Sequence, residues 1–198
     1  MTRFTTILVA NRGEIACRVM RTAKALGYRT VAVYSEADRH APHVTLADRA
    51  VCIGAAPVGQ SYLRPEAVID AARRSGADAV HPGYGFLSEN SAFAQACQDA
   101  GLVFIGPPIN AIELMGSKRL SKIAMLEAGV PCVPGYEGAE QSEERLVAEA
   151  KRIGLPVMLK ASAGGGGRGM RLVHAEADLL PMIRTARSEA LNAFGSDE

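Results

Sequence analysis

"TTILVANRGEIACRVMRTAKALG", residues 5–27, reads as a strand, a loop and a helix. Residues 5–10 are a short apolar run. From residue 13 onward Ile15, Val19, Met20, Ala23 and Leu26 recur near helical spacing, and Gly27 is a C-terminal stop. The same unit repeats down the first hundred residues. "TVAVYS" (30–35) and "RAVCIG" (49–54) are strands, separated by a polar stretch holding His40 and His43. "YLRPEAVIDAARRSG" (62–76) is a helix stopped by Gly76, and "ADAVHPG" (77–83) is a strand broken by a turn. "NSAFAQACQDAG" (90–101) is a helix capped by Asn90 and stopped by Gly101, and "LVFIGPP" (102–108) is a strand ended by prolines. Strand and helix in alternation predict an α/β fold, a parallel sheet covered on both faces. Such sheets take ligands beyond the carboxyl ends of their strands. Two loops fall there, "NRGE" (11–14) and "HPGYGFLSEN" (81–90).

The pattern changes after Pro107 and Pro108. "NAIELMGSKRLSKIAMLEAG" (110–129) reads as one broken helix or two adjoining ones, interrupted near Gly116. A proline-punctuated connector, "VPCVPGY" (130–136), leads to the helix "SEERLVAEAKRIG" (142–154), capped by Ser142. "LPVMLKAS" (155–162) and "GMRLVHA" (169–175) read as two strands of a hairpin, and "DLLPMIRTARSEALNAFG" (178–195) as a last helix. Pro181 requires that it lie in that helix's first turn. The expected organisation is a parallel α/β domain over 1–109, a helical linker over 110–133 and a small α+β unit over 134–198.

Composition narrows the function. The chain has 198 residues, 48% of them hydrophobic, and a formal net charge of +1, so it can bury a core and carries no basic surface for nucleic acid. No apolar run approaches the length of a membrane span, and the apolar start is too short for a secretory signal, so a cytoplasmic protein is expected. Cys17, Cys52, Cys97 and Cys132 share no CxxC spacing and are expected to be buried free thiols. The four histidines form no zinc motif, and no metal site is expected.

"KASAGGGGRGM" (160–170) sits in the hairpin. Consecutive glycines lose much chain entropy on folding, and in exchange their backbone N–H groups can close on an anion. Lys160 and Arg168 add charge. The run is not a P-loop, which would open a helix, and "ANRGEIA" after the first strand is not GxGxxG, which weighs against a nicotinamide-dependent dehydrogenase. A phosphate cradle and an ordinary mobile hairpin both fit these residues. "MGSK" (115–118) reads either as a second lysine site at Lys118 or as a solvated helix end. "HPGYGFLSEN" places Gly83, Tyr84, Gly85 and Glu89 at the ligand edge, or is a turn around a buried tyrosine.

Taken in order, "ILVANRGEIACRVMRTAKALG", "AVYSEAD", "HPGYGFLSEN", "FIGP", "MGSK", "AGVPCVPGY" and "KASAGGGGRGM" resemble the N-terminal part of biotin carboxylase, the ATP-grasp component of biotin-dependent carboxylases. The resemblance runs from about Thr6 to Gly195. It implies a Rossmann-like pre-ATP-grasp domain, then a linker helix and a partial ATP-grasp lid. The implied reaction uses Mg-ATP and bicarbonate to carboxylate N1 of biotin through carboxyphosphate, with ATP, Mg2+ and carrier-bound biotin as the participants. The resemblance assigns Lys118 and Lys160 to ATP, and Gly164, Gly165, Gly166 and Gly167 to the loop over its phosphates, with Gly166 and Gly167 foremost. It puts Tyr84 and Gly85, with Glu89 behind them, on the loop facing biotin and bicarbonate.

The family's magnesium carboxylates, bicarbonate base and biotin-facing arginine are expected beyond Glu198, so this chain is expected not to carboxylate biotin by itself. Implied partners are a biotin carboxyl carrier domain, a carboxyltransferase subunit and a second copy in a homodimer built partly on surfaces beyond this chain. "SAGGGGRGM", "MGSK" and "RSEALNAFGSDE" are most similar to acyl-CoA carboxylase α subunits of the methylcrotonoyl, geranoyl, propionyl and acetyl types, the first two above all. Acyl specificity lies on the carboxyltransferase and has no residue here. The competing readings are another ATP-grasp ligase, such as a carbamoyl-phosphate synthetase relative, and a non-catalytic assembly module.

Overall fold

Ile7 and Val9 lie on one side of the first strand and Leu8 on the other, and all three are buried. A strand buried on both faces needs cover on both. The computed structural model, which describes residues 4–162 and 170–198, supplies it. The first unit, Met1–Glu113, runs β1 (Thr6–Val9), α1 (Gly13–Ala25), β2 (Arg29–Ser35), α2 (Pro42–Leu46), β3 (Arg49–Gly54), α3 (Pro65–Ser75), β4 (Ala79–His81), α4 (Ser91–Asp99) and β5 (Val103–Phe104). Its sheet is parallel throughout, in the order β3-β2-β1-β4-β5.

From α1, Ala16, Met20 and Ala23 pack on Ile7, Val9, Ala32 and Ala79, with Leu46 of α2 beside them. On the other face, Val68, Ile69 and Ala72 of α3 and Phe93 and Cys97 of α4 pack on Leu8, Val31, Val33 and Val80. Leu26 does not join the buried stripe of α1. The helix ends at Ala25, so Leu26 leaves its phase as the cap and stands 69% exposed. α3 starts at Pro65, later than residue 62. A residue before proline is pushed out of the helical region, and Arg64 is extended. Asn90 caps α4 by accepting the Phe93 N–H at 2.8 Å.

α5 (Ile109–Gly116) crosses into the second unit, Leu114–Glu198. The break near Gly116 is real: Ser117 caps a new helix, α6 (Lys118–Glu127), by accepting the Leu120 N–H at 3.2 Å. α7 (Glu143–Ile153), capped by Ser142, precedes β6 (Val157–Lys160) and β7 (Met170–Val173), which pair antiparallel. Val157, Leu159 and Val173 pack with Ala150 of α7 and Leu179 of α8 (Glu176–Phe194). Met158, Lys160, Met170 and Leu172 alternate with them and are exposed.

α8 begins two residues earlier than the sequence reading put it. Pro181 therefore lies in its second turn, not its first, and offers no N–H to the Ala177 carbonyl. The packing of Leu179 and Ile183 on either side, both buried, holds the helix through that gap. The thiols also divide. Cys17 and Cys97 are buried, and burial pushes the Cys97 thiol up to about 11. Cys52, on the edge strand β3, and Cys132, in the connector before α7, are only half-buried. Among the described residues no helix is long and apolar enough to cross a membrane.

Candidate functional site

The chain builds β1, β2 and β3 outward in one direction and then returns to place β4 on the far side of β1. That reversal is a topological switch point, where the loops after neighbouring strands diverge and leave a crevice. The two loops there are 10–13, after β1, and 82–90, after β4. A cleft of about 350 Å³ opens between them, lined by residues including Asn11, Arg12, Tyr84, Gly85 and Phe86.

Asn11, 2% exposed, joins the loops. Its Oδ1 accepts the Arg12 N–H at 2.9 Å, and its Nδ2 donates to the carbonyls of Pro82 and Tyr84, each at 2.9 Å. Gly83 lies between those carbonyls at φ +67°, and a Cβ there would stand 2.6 Å from Asn11 Nδ2, so only glycine fits. The Gly83 N–H donates to His81 Nδ1 at 3.0 Å. Gly13 N–H likewise donates to Nδ1 of the buried His43 at 3.3 Å, and His43 Nε2 donates to the Val33 carbonyl at 3.2 Å. Both rings thus serve as neutral acceptors, and burial lowers the pKa of each.

Arg12 is held on the other side of the cleft. Its Nε donates to Asp38 Oδ2 at 2.7 Å, and its Nη2 to Oδ1. Asp38 Oδ2 also accepts the Tyr62 hydroxyl at 2.6 Å and the Ser35 hydroxyl at 3.2 Å, while the Ser35 N–H donates to the Tyr62 oxygen at 3.0 Å. The Arg12 guanidinium, helped by these hydroxyls, holds the Asp38 carboxyl well below the usual carboxylate range. Burial and that carboxylate push the Tyr62 phenol up to about 12. The Tyr62 ring stacks on Phe86 with centroids 5.0 Å apart, which anchors the far end of the 82–86 loop; Phe86 itself has φ +45°.

Of the residues singled out in the sequence, Tyr84 and Gly85 line this cleft and Glu89 does not; it is exposed at the turn before α4. Tyr84 is 69% exposed, so the reading as a turn around a buried tyrosine is wrong. In the second unit, Lys118 and Lys160 line one cavity of about 1030 Å³, together with Lys122, Glu137, Met158 and Leu172. Lys118 Nζ donates to the Ser162 carbonyl at 3.4 Å, two residues before the glycine run in the sequence. Lys122 pairs with Glu137 in the same wall. Gly164, Gly165, Gly166 and Gly167 lie outside the described residues. Among the described residues no group of three His, Cys, Asp or Glu could hold a metal ion.

Sequence reasoning marked the "NRGE" loop but not the parts played by Asn11, Arg12, Asp38, Tyr62 or His43. Asp38 and Tyr62 stand 24 residues apart with a whole strand between them, and only the sheet brings them together. The polar "SEAD" (35–38), which starts on the last residue of β2, was the available signal, because it too leaves a carboxyl end of the sheet.

A doubly wound parallel unit with a cleft at its switch point, followed by an α+β unit with a lysine-lined cavity, defines a two-unit α/β protein of the ligand-binding kind. Comparison with known proteins narrows this. Residues 3–112 match the family "Biotin carboxylase, N-terminal domain", and residues 117–198 match "Carbamoyl-phosphate synthase L chain, ATP binding domain". The chain belongs to the biotin carboxylase family.

It is 57% identical over 191 residues to the mitochondrial methylcrotonoyl-CoA carboxylase subunit alpha of Dictyostelium discoideum, covering 96% of this chain and 27% of that protein. It is 54% identical over 192 residues to the biotin carboxylase of Allochromatium vinosum, covering 96% of this chain and 43% of that one. Among solved structures, biotin carboxylase from Campylobacter jejuni in a β-γ-ATP complex matches with a TM-score of 0.94 at 49% identity, over 98% of this chain and 44% of that one. The biotin carboxylase domain of Hydrogenobacter thermophilus 2-oxoglutarate carboxylase, in complex with MgADP, ADP and bicarbonate, matches with a TM-score of 0.93 at 51% identity, over 100% of this chain and 43% of that chain. The chain therefore spans less than half the length of these relatives.

Proposed function

We propose that this chain supplies the ATP-side portion of a biotin carboxylase within an acyl-CoA carboxylase. In that reaction the γ-phosphoryl group of ATP passes to a bicarbonate oxygen, giving ADP and carboxyphosphate. Carboxyphosphate breaks down to phosphate and CO₂, and N1 of carrier-bound biotin gives up its proton to the released phosphate and takes up the CO₂. The observation that carries the proposal is that Lys118 and Lys160 line one cavity, with Lys118 bonded to the Ser162 carbonyl. Phosphoryl transfer depends mainly on positioning and charge stabilisation, and two ammonium groups beside a row of backbone donors suit it. The exposed Met158, Met170 and Leu172 on the same hairpin add an apolar surface suited to a nucleobase.

In this proposal Lys118, Lys160 and Gly164 to Gly167 contact ATP, and Tyr84 and Gly85 face biotin and bicarbonate, with Glu89 further back. A glycine loop that closes over the phosphates would keep water from carboxyphosphate. The domain assignment follows: residues 1–109 as the N-terminal α/β domain, 110–133 as linker and 134–198 as part of the lid. A biotin carrier domain, a carboxyltransferase subunit and a second copy are the proposed partners. Cytoplasmic residence belongs to the same proposal, although the Dictyostelium discoideum relative carries a mitochondrial name.

The test is a titration of the ¹⁵N-labelled chain with Mg-ADP and with ATP. Saturable shifts at the amides of 164–167, abolished by Lys160→Ala, support the proposal. Unshifted glycine amides beside a well-dispersed spectrum of the first unit count against a phosphate cradle in this chain.

A further inference from the structure

The loop after β4 exposes Tyr84 to solvent, yet its backbone is tightly held. A trans peptide is planar, so its C=O and N–H point opposite ways. In the Pro82–Gly83 peptide the carbonyl accepts from Asn11 and the N–H donates to His81, so both ends of one peptide plane are fixed. In the Tyr84–Gly85 peptide the carbonyl also turns in to Asn11, which directs the Gly85 N–H away from Asn11. Asn11 has two amide hydrogens and spends both on these carbonyls. Asn11 is 2% exposed; its bond to the Pro82 carbonyl is buried and that to the Tyr84 carbonyl partly so. Its Oδ1 is held by the Arg12 N–H, so the side chain has one orientation that satisfies all three groups.

We propose that Asn11 is a positioning residue. Its side-chain amide sets the backbone path through Pro82–Tyr84 and thereby where the Tyr84 side chain and the Gly85 amide stand at the cleft. It acts through the loop and touches no ligand itself. That the ligand presented to Gly85 is biotin rests on the reading proposed above.

The experiment uses the ¹⁵N-labelled chain. In the wild type both Asn11 Nδ2 hydrogens should exchange on the order of 100-fold more slowly than those of exposed Asn192, as expected for buried bonded donors. Asn11→Ala should move the Tyr84 and Gly85 amide resonances and speed their exchange roughly 10-fold or more, while Val31 and Val80 in the sheet keep wild-type exchange. Gly83→Ala leaves Asn11 in place but drives a Cβ against it, and should disturb the same two amides. Biotin should shift the Gly85 amide saturably in the wild type and at least about 10-fold more weakly in Asn11→Ala.

The proposal is overturned if the Asn11 amide exchanges as fast as that of Asn192. It is also overturned if Asn11→Ala leaves Tyr84 and Gly85 unmoved, or raises exchange equally along β1 and β4, which is a general structural effect. If biotin leaves Gly85 unshifted in the wild type while the exchange results hold, this chain does not present the loop to biotin by itself and the positioning role of Asn11 stands.

Discussion

Tyr62→Phe isolates one hydroxyl in the network behind the switch-point cleft. The phenylalanine keeps the ring, and so the stack on Phe86 at 5.0 Å. It removes the oxygen that donates to Asp38 at 2.6 Å and accepts the Ser35 N–H at 3.0 Å. Losing a hydrogen bond to a charged group costs about 1.5–3 kcal/mol, and leaving a buried N–H without an acceptor costs about 1–3 kcal/mol. Tyr62 is 2% and Ser35 1% exposed, so water does not readily replace either partner. The two losses share one atom and overlap, giving an expected destabilisation of about 2–4 kcal/mol. The Asp38 carboxyl should also move up toward its ordinary range, because one of the donors that lower it is gone. The assay is urea unfolding at pH 7.5, followed at the resolved amides of Val33 and Val80 so that the first unit is read by itself. A loss below about 0.5 kcal/mol, the size of an ordinary surface substitution, refutes the reasoning. So does an equal loss at reporters in the second unit.

Other expectations are separate. His43 is buried as a neutral acceptor with its pKa lowered from 6.5, so below that value the unfolded chain takes up a proton that the native state resists. Stability of the first unit should be full well above pH 6.5 and fall on acidification, with His43 and the likewise lowered His81 each contributing a slope that approaches about 1.4 kcal/mol per pH unit. A urea midpoint flat between pH 7.5 and 5 contradicts this. Asp38 acts in a lower window, its contribution being present above its ordinary carboxylate pKa and lost as pH falls toward the depressed one. Lys118→Ala should weaken Mg-ADP binding about 10-fold or more by calorimetry, as expected for a lost charge-assisted contact, without moving the unfolding midpoint of the first unit. Ser142→Ala should destabilise α7 by about 1 kcal/mol, seen as a lower urea midpoint at second-unit amides. An unchanged midpoint would mean the cap does not hold that helix.

Periodicity and turn chemistry made much of the fold legible. Runs of Val, Ile, Leu and Ala bounded by glycines placed every strand of the parallel sheet, and Asn90, Ser142 and the Gly116 break marked real helix ends. Such signals are local, carried by residues a few positions apart. Where neighbours in space decided the outcome, the reading slipped. Leu26 fits the helical period of α1 but lies beyond its end, and Pro181 is accommodated one turn deeper because Leu179 and Ile183 pack around it.

The same division runs through the candidate site. "HPGYG" was visible as a loop at the ligand edge, and Tyr84, Gly85, Lys118 and Lys160 could be named from motifs alone. The side chains that hold the loop could not. Asn11 bonds to carbonyls 71 and 73 residues away, and Arg12 meets Asp38 across 26 residues. These partners share no period and no spacing. Sequence alone determined the order of elements, the glycines at the sheet's edge and Lys160 at the end of its strand, because each rests on local backbone preference, whereas Lys118 reaches the hairpin only through a contact across 44 residues. Only the tertiary structure decided that β4 returns beside β1 and brings these buried polar groups within bonding distance, because a buried donor must find its acceptor in space, wherever the chain supplies one.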